Sequence, residues 1–174
     1  TDFVSDYFFT TSRDASMKLI KEGNNKKNIF FVGNLMIDTL KANIKKARKP
    51  LNIERYILEK KYIILTIHRA ENVSDQKQLV KLVQSIAKIN ERYNIIFPAH
   101  PRLRKKLNTA SFPKNLFIIK PQSYLSFLYL IKNAEIIITD SGGITEEASI
   151  LDIPCLTLRE TTERPETVTL GTNI

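Results

Sequence analysis

Cysteine is nearly absent from this chain, and several classes of protein are excluded with it. The single thiol, Cys155, leaves no pair for an intramolecular disulfide, which excludes a disulfide-stapled secreted scaffold and makes a reducing cytoplasm the expected compartment. Its place in the apolar run Ile153-Pro154-Cys155-Leu156 suits a small core residue better than a nucleophile. Histidine occurs only as His68 and His100, neither inside a close cluster of His, Cys or Asp, so neither a metal nor a cofactor is expected. Tryptophan is missing and glycine is scarce, with five in 174 residues; collagen-like and glycine-rich disordered chains are excluded. Apolar runs are short, as in Tyr62-Ile63-Ile64-Leu65 and Ile136-Ile137-Ile138, and none approaches the roughly 20 residues of a membrane-spanning helix. A membrane is therefore not an expected partner. The start, Thr1-Asp2-Phe3, has neither an initiating Met nor a basic segment followed by an apolar stretch. No secretory signal is expected, and the chain reads as a processed product or an excised piece.

What is present describes a folded protein. Hydrophobic residues make up 43% and charged residues 26%, and the length suits one core without disulfides or metals. Lys and Arg number 27 against 18 Asp and Glu, a net charge of +9, which fits a nucleic-acid surface, an anionic membrane or a phosphate-bearing substrate. Lys, Ile and Asn are all abundant, so solvated lysines spread over every face account for the bulk of that charge equally well.

Seven β-branched or aromatic runs recur along the chain: Tyr7 to Thr10, Ile29 to Val32, Tyr62 to Thr66, Ile95 to Pro98, Leu116 to Ile119, Glu135 to Thr139 and Pro154 to Leu158. They are mostly continuous rather than alternating, the pattern of strands buried on both faces. Helical spacing lies between them, clearest in Asp75 to Ile89, where Leu79, Leu82, Val83, Ile86 and Ile89 share a face and Ser74 is placed to cap it. Further helices are expected from Ser123 to Lys132 and from Gly143 to about Leu151. Strand alternating with helix predicts right-handed βαβ units: a three-layer, Rossmann-like α/β domain with a parallel sheet of about six strands. Residues 1–28 read as an entering segment, the tail of another domain, and residues 29–174 as the domain proper.

In such a sheet ligands bind beyond the carboxyl ends of the strands, and those ends are rich in polar groups. The strongest is Thr139-Asp140-Ser141-Gly142-Gly143-Ile144-Thr145-Glu146-Glu147-Ala148. Two glycines admit a ligand to the backbone, and the helix N-terminus favours a phosphate. The same residues also make an ordinary strand-turn-helix with Ser141 as N-cap, and without a Walker-type Lys an NTPase is disfavoured. His68 and His100 both fall at strand ends, each followed within two residues by an arginine, Arg69 or Arg102, which points to a polyanion site or to acid-base chemistry. Arg159 and Arg164 bracket Thr161, Thr162, Glu160 and Glu163 after the last strand.

Together these ends resemble the non-hydrolysing UDP-N-acetylglucosamine 2-epimerases. The matching stretches are Gly33-Asn34 with Asp38, Thr66 to Asn72, Phe97 to Arg102, Thr139 to Ala148 and Leu158 to Val168, in the family order. The resemblance implies the second half of a two-domain glycosyltransferase-B architecture, with the partner N-terminal domain and a final helix outside these residues. It implies that Ser141, Gly142 and Gly143 bind the diphosphate of a UDP-sugar, faced by His100 and Arg164. Glu147 would take the ribose hydroxyls, and Phe127 would pack on uracil, although spacing alone reads Phe127 as core. Gln122 joins the UDP contacts, and His68 would reach toward the catalytic centre. In the family, UDP is eliminated to give a 2-acetamidoglucal and re-added with proton delivery to the opposite face of C2. The acidic acid/base residues would come from the other half, so the chain alone should be inactive; a homodimer is an expectation for the intact protein.

Two rivals stay open at this stage. A UDP-sugar glycosyltransferase of the same architecture shares the strand-end chemistry. A basic nucleic-acid-binding module rests on the net charge only. The aromatics lie within apolar runs rather than among the lysines, and no recognised motif is present, so nucleic acid is not an expected partner.

Overall fold

The β-branched runs do become strands. The structure, a computed structural model, describes residues 4–51, 53–57, 61–89, 92–162 and 165–174. Its strands are β1 Phe8–Thr10, β2 Ile29–Phe31, β3 Tyr62–Thr66, β4 Asn94–Pro98, β5 Leu116–Ile119, β6 Ile136–Thr139 and β7 Cys155–Thr157. Its helices are α1 Arg13–Lys21, α2 Leu35–Asn43, α3 Glu54–Ile57, α4 Ala70–Val73, α5 Gln76–Ile89, α6 Pro101–Leu107, α7 Tyr124–Lys132, α8 Gly142–Ile150 and α9 Glu166–Thr169. Single 3₁₀ turns occupy Lys26–Asn28 and Ile44–Lys46.

Five strands form one sheet in the order β5-β4-β3-β6-β7, with every neighbouring pair parallel. Successive side chains leave a strand on opposite faces, and here both faces are apolar. Ile63, Leu65, Ile95 and Phe97 pack with Leu79 and Val83 of α5 and Leu103 and Leu107 of α6. Tyr62, Ile64, Ile96 and Ile137 pack on the other side with Leu130 and Ile131 of α7 and Ala148 of α8. The result is the three-layer α/β arrangement expected from the strand composition. Cys155 lies in the second layer, 1% exposed, and burial pushes its thiol up to about 12. At one edge, residues Thr172–Ile174 lie along β7: Cys155 N donates to Thr172 O at 3.1 Å, and Thr157 N to Ile174 O at 2.8 Å. The other edge is β5, formed by Leu116, Phe117, Ile118 and Ile119.

The sheet holds five strands rather than about six, because β2 pairs elsewhere. It runs parallel to β1, with Phe8 opposite Ile29 and Thr10 opposite Phe31, and α1 connects the two. The chain accordingly separates into two compact units, Thr1–Ala42 and Asn43–Ile174, a division later than the one drawn near residue 28.

One cap also differs from the sequence reading. Ser74 ends α4, and the N-terminus of α5 is held by Asp75, whose Oδ1 accepts from Lys77 N at 2.7 Å and Gln78 N at 3.1 Å. An aspartate directly before the first helical residue reaches two of the free N–H groups, and Ser74 is one residue too early. Hydrogen bonds from Gln78 and Lys77 hold the Asp75 carboxyl below its ordinary 3.8. A depressed carboxylate contributes stability above the unfolded value and loses it as pH falls through the folded one. Asp75→Ala should therefore lower the melting temperature at neutral pH and cease to matter in strong acid, whereas Ser74→Ala should be silent at both. Thermal melts at the two pH values check this.

Candidate functional site

Sheet order locates the crevice. Strands β3, β4 and β5 progress one way from the centre and β6 and β7 the other, so the order reverses between β3 and β6, the point where α/β sheets bind ligands. The residues leaving those two strands, Ile67 to Asn72 and Asp140 to Gly143, are the ones singled out above.

A buried carboxylate ties the two exits together. Asp140 is 0% exposed. Its Oδ2 accepts from His68 N at 3.0 Å, Arg69 N at 2.9 Å and Asn72 Nδ2 at 3.0 Å. Its Oδ1 lies 2.8 Å from His68 Nδ1, and its main-chain oxygen accepts from Arg69 Nε at 3.0 Å. One step back, the hydroxyls of Thr66 and Thr139 meet at 2.6 Å, and Ser141 N donates to Thr139 Oγ1 at 3.0 Å. Burying a charge without partners is costly; four donors on the carboxylate meet that cost here.

Asp140 leads directly into α8. Ser141 is its N-cap residue, with its carbonyl accepting from Thr145 N at 3.1 Å, but its side chain makes no capping bond. The first-turn N–H groups of Gly142 and Gly143 have no carbonyl one turn back inside the helix, and a helix N-terminus carries partial positive charge. Among the described residues positive φ is confined, for glycine, to Gly23 and Gly33. Gly142 and Gly143 thus have helical backbones that any residue could adopt, and what distinguishes them is the missing Cβ.

His68 and His100, both exposed, line one cavity of about 360 Å³ with Ile67, Arg102 and Lys106. His100 precedes α6 as its N-cap, its Nδ1 accepting from Arg102 N at 3.4 Å. Beside them a second cavity, of about 480 Å³, is lined by Arg69, Asn72, Arg159 and Glu160. Glu147, one helical turn beyond the glycines on the same helix, is buried. Burial pushes its carboxyl above the usual 4.5, helped by Glu146 and opposed by a hydrogen bond from Tyr124. That bond spans 3.1 Å from Tyr124 Oη to Glu147 Oε1; burial and the neighbouring Glu147 push the phenol up to about 12, so it donates.

Phe127 is half-buried against the second apolar layer, so it serves the core as its spacing suggested. Gln122, in the loop before α7, spends its amide on Lys120 O at 2.7 Å. Arg164 lies outside the described residues. Sequence reasoning missed the roles of Asp140, Asn72 and Tyr124. No three His, Cys, Asp or Glu side chains among the described residues are placed to hold a metal ion, and no helix among them is long and apolar enough to cross a membrane.

The chain is similar to known proteins in both sequence and fold. The family described as UDP-N-acetylglucosamine 2-epimerase matches residues 1–174. The UDP-N-acetylglucosamine 2-epimerase of Methanococcus maripaludis is 46% identical over 186 aligned residues, covering 100% of this chain and 51% of that protein. The crystal structure of the Methanocaldococcus jannaschii UDP-GlcNAc 2-epimerase in complex with UDP-GlcNAc and UDP superposes with a TM-score of 0.86 at 44% identity, over 99% of this chain and 51% of that one. The Neisseria meningitidis enzyme bound to UDP-GlcNAc gives 0.83 at 34% identity, over 99% and 50%. The chain spans about half the length of the curated relatives it matches.

Proposed function

The chain belongs to the UDP-N-acetylglucosamine 2-epimerase family, and we propose on that premise that it is the UDP-binding half of an enzyme interconverting UDP-N-acetylglucosamine and UDP-N-acetylmannosamine. The observation that carries this reading is the junction at the sheet's reversal point, where Asp140 joins a glycine-opened helix N-terminus to a histidine. In the proposed reaction a base removes the C2 proton and the C1–O bond breaks, its electron pair leaving with UDP. The glycal that remains is attacked at C1 by the UDP oxygen as a proton is delivered to the other face of C2. Negative charge grows on the diphosphate as the bond breaks, so fixed N–H donors and cations around it stabilise the transition state more than the ground state.

Each residue then has a task. Ser141, Gly142 and Gly143 bind the diphosphate through N–H groups and a hydroxyl, with His100 and Arg164 as its charge partners. Glu147 accepts from the ribose hydroxyls while Tyr124 steadies it; Phe127 packs on uracil, and Gln122 joins it. His68 serves the sugar end. The acid/base carboxylates belong to the other half of the intact enzyme.

Isotope exchange tests the reading. Full-length protein incubated with UDP-N-acetylglucosamine in D2O should place deuterium at C2 with no acceptor sugar present. A protein that incorporates none and transfers the sugar to an acceptor is a glycosyltransferase, and one that holds an oligonucleotide more tightly than UDP at moderate salt is a nucleic-acid module. His68→Ala should abolish most of the exchange while UDP titrates into the variant as into wild type, because the role assigned to His68 lies with the sugar.

A further inference from the structure

We infer that Asp140 is a positioning residue for His68, fixing the imidazole as the tautomer that carries its proton on Nδ1 and presents a bare Nε2 lone pair to the crevice. The inference rests on the proposed function for its consequence in turnover, but its structural part stands on geometry alone. Asp140 Oδ1 is 2.8 Å from His68 Nδ1, and a carboxylate can only accept; the proton on that edge of the ring therefore belongs to Nδ1, and in the neutral ring the other nitrogen is left to accept. Asp140 cannot turn away, because its Oδ2 is held by His68 N, Arg69 N and Asn72 Nδ2, and it is fully buried. The His68 side chain is 61% exposed, and His68 lines a cavity with His100. Since Ser141 follows Asp140 in the chain, the carboxylate that orients the imidazole also stands next to the helix N-terminus assigned to the diphosphate.

The same contacts predict what an amide would do. In Asp140→Asn the three donors around Oδ2 claim the amide oxygen, so the NH2 group faces His68 Nδ1. That nitrogen must then accept, and the ring proton moves to Nε2. The loop keeps its anchor while the crevice receives a donor in place of an acceptor.

Imidazole 15N shifts of the full-length protein, recorded about two pH units above the ordinary histidine pKa and assigned with His68→Gln, read the tautomer directly. Wild type should show protonated Nδ1 and bare Nε2, and Asp140→Asn the reverse. In the exchange assay Asp140→Asn should lose roughly 100-fold or more in kcat, with KM and UDP affinity little changed. The double variant with His68→Gln should be no slower than His68→Gln alone. A wild-type His68 with a proton on Nε2 overturns the inference, as does a double variant whose losses multiply. The wild-type spectrum decides the matter even if Asp140→Asn fails to fold. If the wild-type protein exchanges no hydrogen at C2, the proposed reaction falls, and the spectrum still decides the role of Asp140.

Discussion

Gly142→Val should weaken UDP binding by roughly 100-fold, the loss expected when two charge-assisted hydrogen bonds can no longer form, and should leave the fold intact. The physical reason is a separation of two roles that glycine usually combines. At Gly23 and Gly33 the backbone has positive φ, and glycine is required there by conformation. Gly142 is in the first turn of α8 without positive φ, where a glycine costs about 1 kcal/mol relative to alanine. A residue retained against helix propensity, half-buried at the crevice, fits a need for open space above its N–H. Gly142→Ala sharpens the test, since it should melt no lower than wild type while binding UDP more weakly. Calorimetric titration of UDP into the full-length variants, with parallel thermal melts, measures both. A Gly142→Val protein that binds UDP as wild type does would place the diphosphate elsewhere.

The largest expected loss of stability comes from Phe97→Ala. Phe97 is 0% exposed, in β4, and packs in the layer formed with α5 and α6. Truncating a buried Phe forfeits its transfer free energy and leaves a cavity that parallel strands on both sides, β3 and β5, cannot collapse to fill; about 3–5 kcal/mol is expected. Against a typical total of about 5–15 kcal/mol, that is enough to leave the domain partly unfolded near 37 °C. Urea unfolding monitored by circular dichroism should show the midpoint falling with little change in slope. The residues that follow, Pro98 and Ala99, lead to His100, so UDP binding should decline with the folded fraction and recover at low temperature. A variant with wild-type stability would mean that β4 is not central to the core.

All seven strands of the described residues were legible in the sequence: in the five-stranded sheet because a strand covered on both faces is apolar throughout, as in Tyr62 to Thr66, and in β1 and β2 because their β-branched and aromatic runs carry the same local signal even though Phe9 and Phe31 are exposed. Which strands share a sheet was not. Ile29 to Phe31 looks like any other strand, and its pairing with Phe8 to Thr10 is a non-local choice that the local pattern does not carry. The site divides the same way. Ser141, Gly142 and Gly143 were visible because a glycine pair between strand and helix is a local signal, and the histidines because they follow strands. Asp140 stood in the same motif without revealing its task. Its partner His68 is 72 residues away, joined only because β3 and β6 are neighbours. Tyr124 and Glu147, 23 apart, were hidden for the same reason. Asp75 displaced Ser74 as a cap through a shift of one residue, finer than a hydrophobic pattern can specify.

The two borders of the five-stranded sheet differ in how they meet other chains. At β7 the backbone groups are occupied by Thr172–Ile174. At β5, four apolar residues form the outer strand, a sequence of the kind that recruits a passing strand into cross-β aggregates. Its flanks read Pro113-Lys114-Asn115 before and Lys120-Pro121 after. Each proline lacks the N–H that a ladder would need for extension, and each lysine would be brought against its own copy in any in-register stack. The bracket therefore places, at both ends of this half-buried outer strand, the residue types that oppose extension of the sheet by another chain.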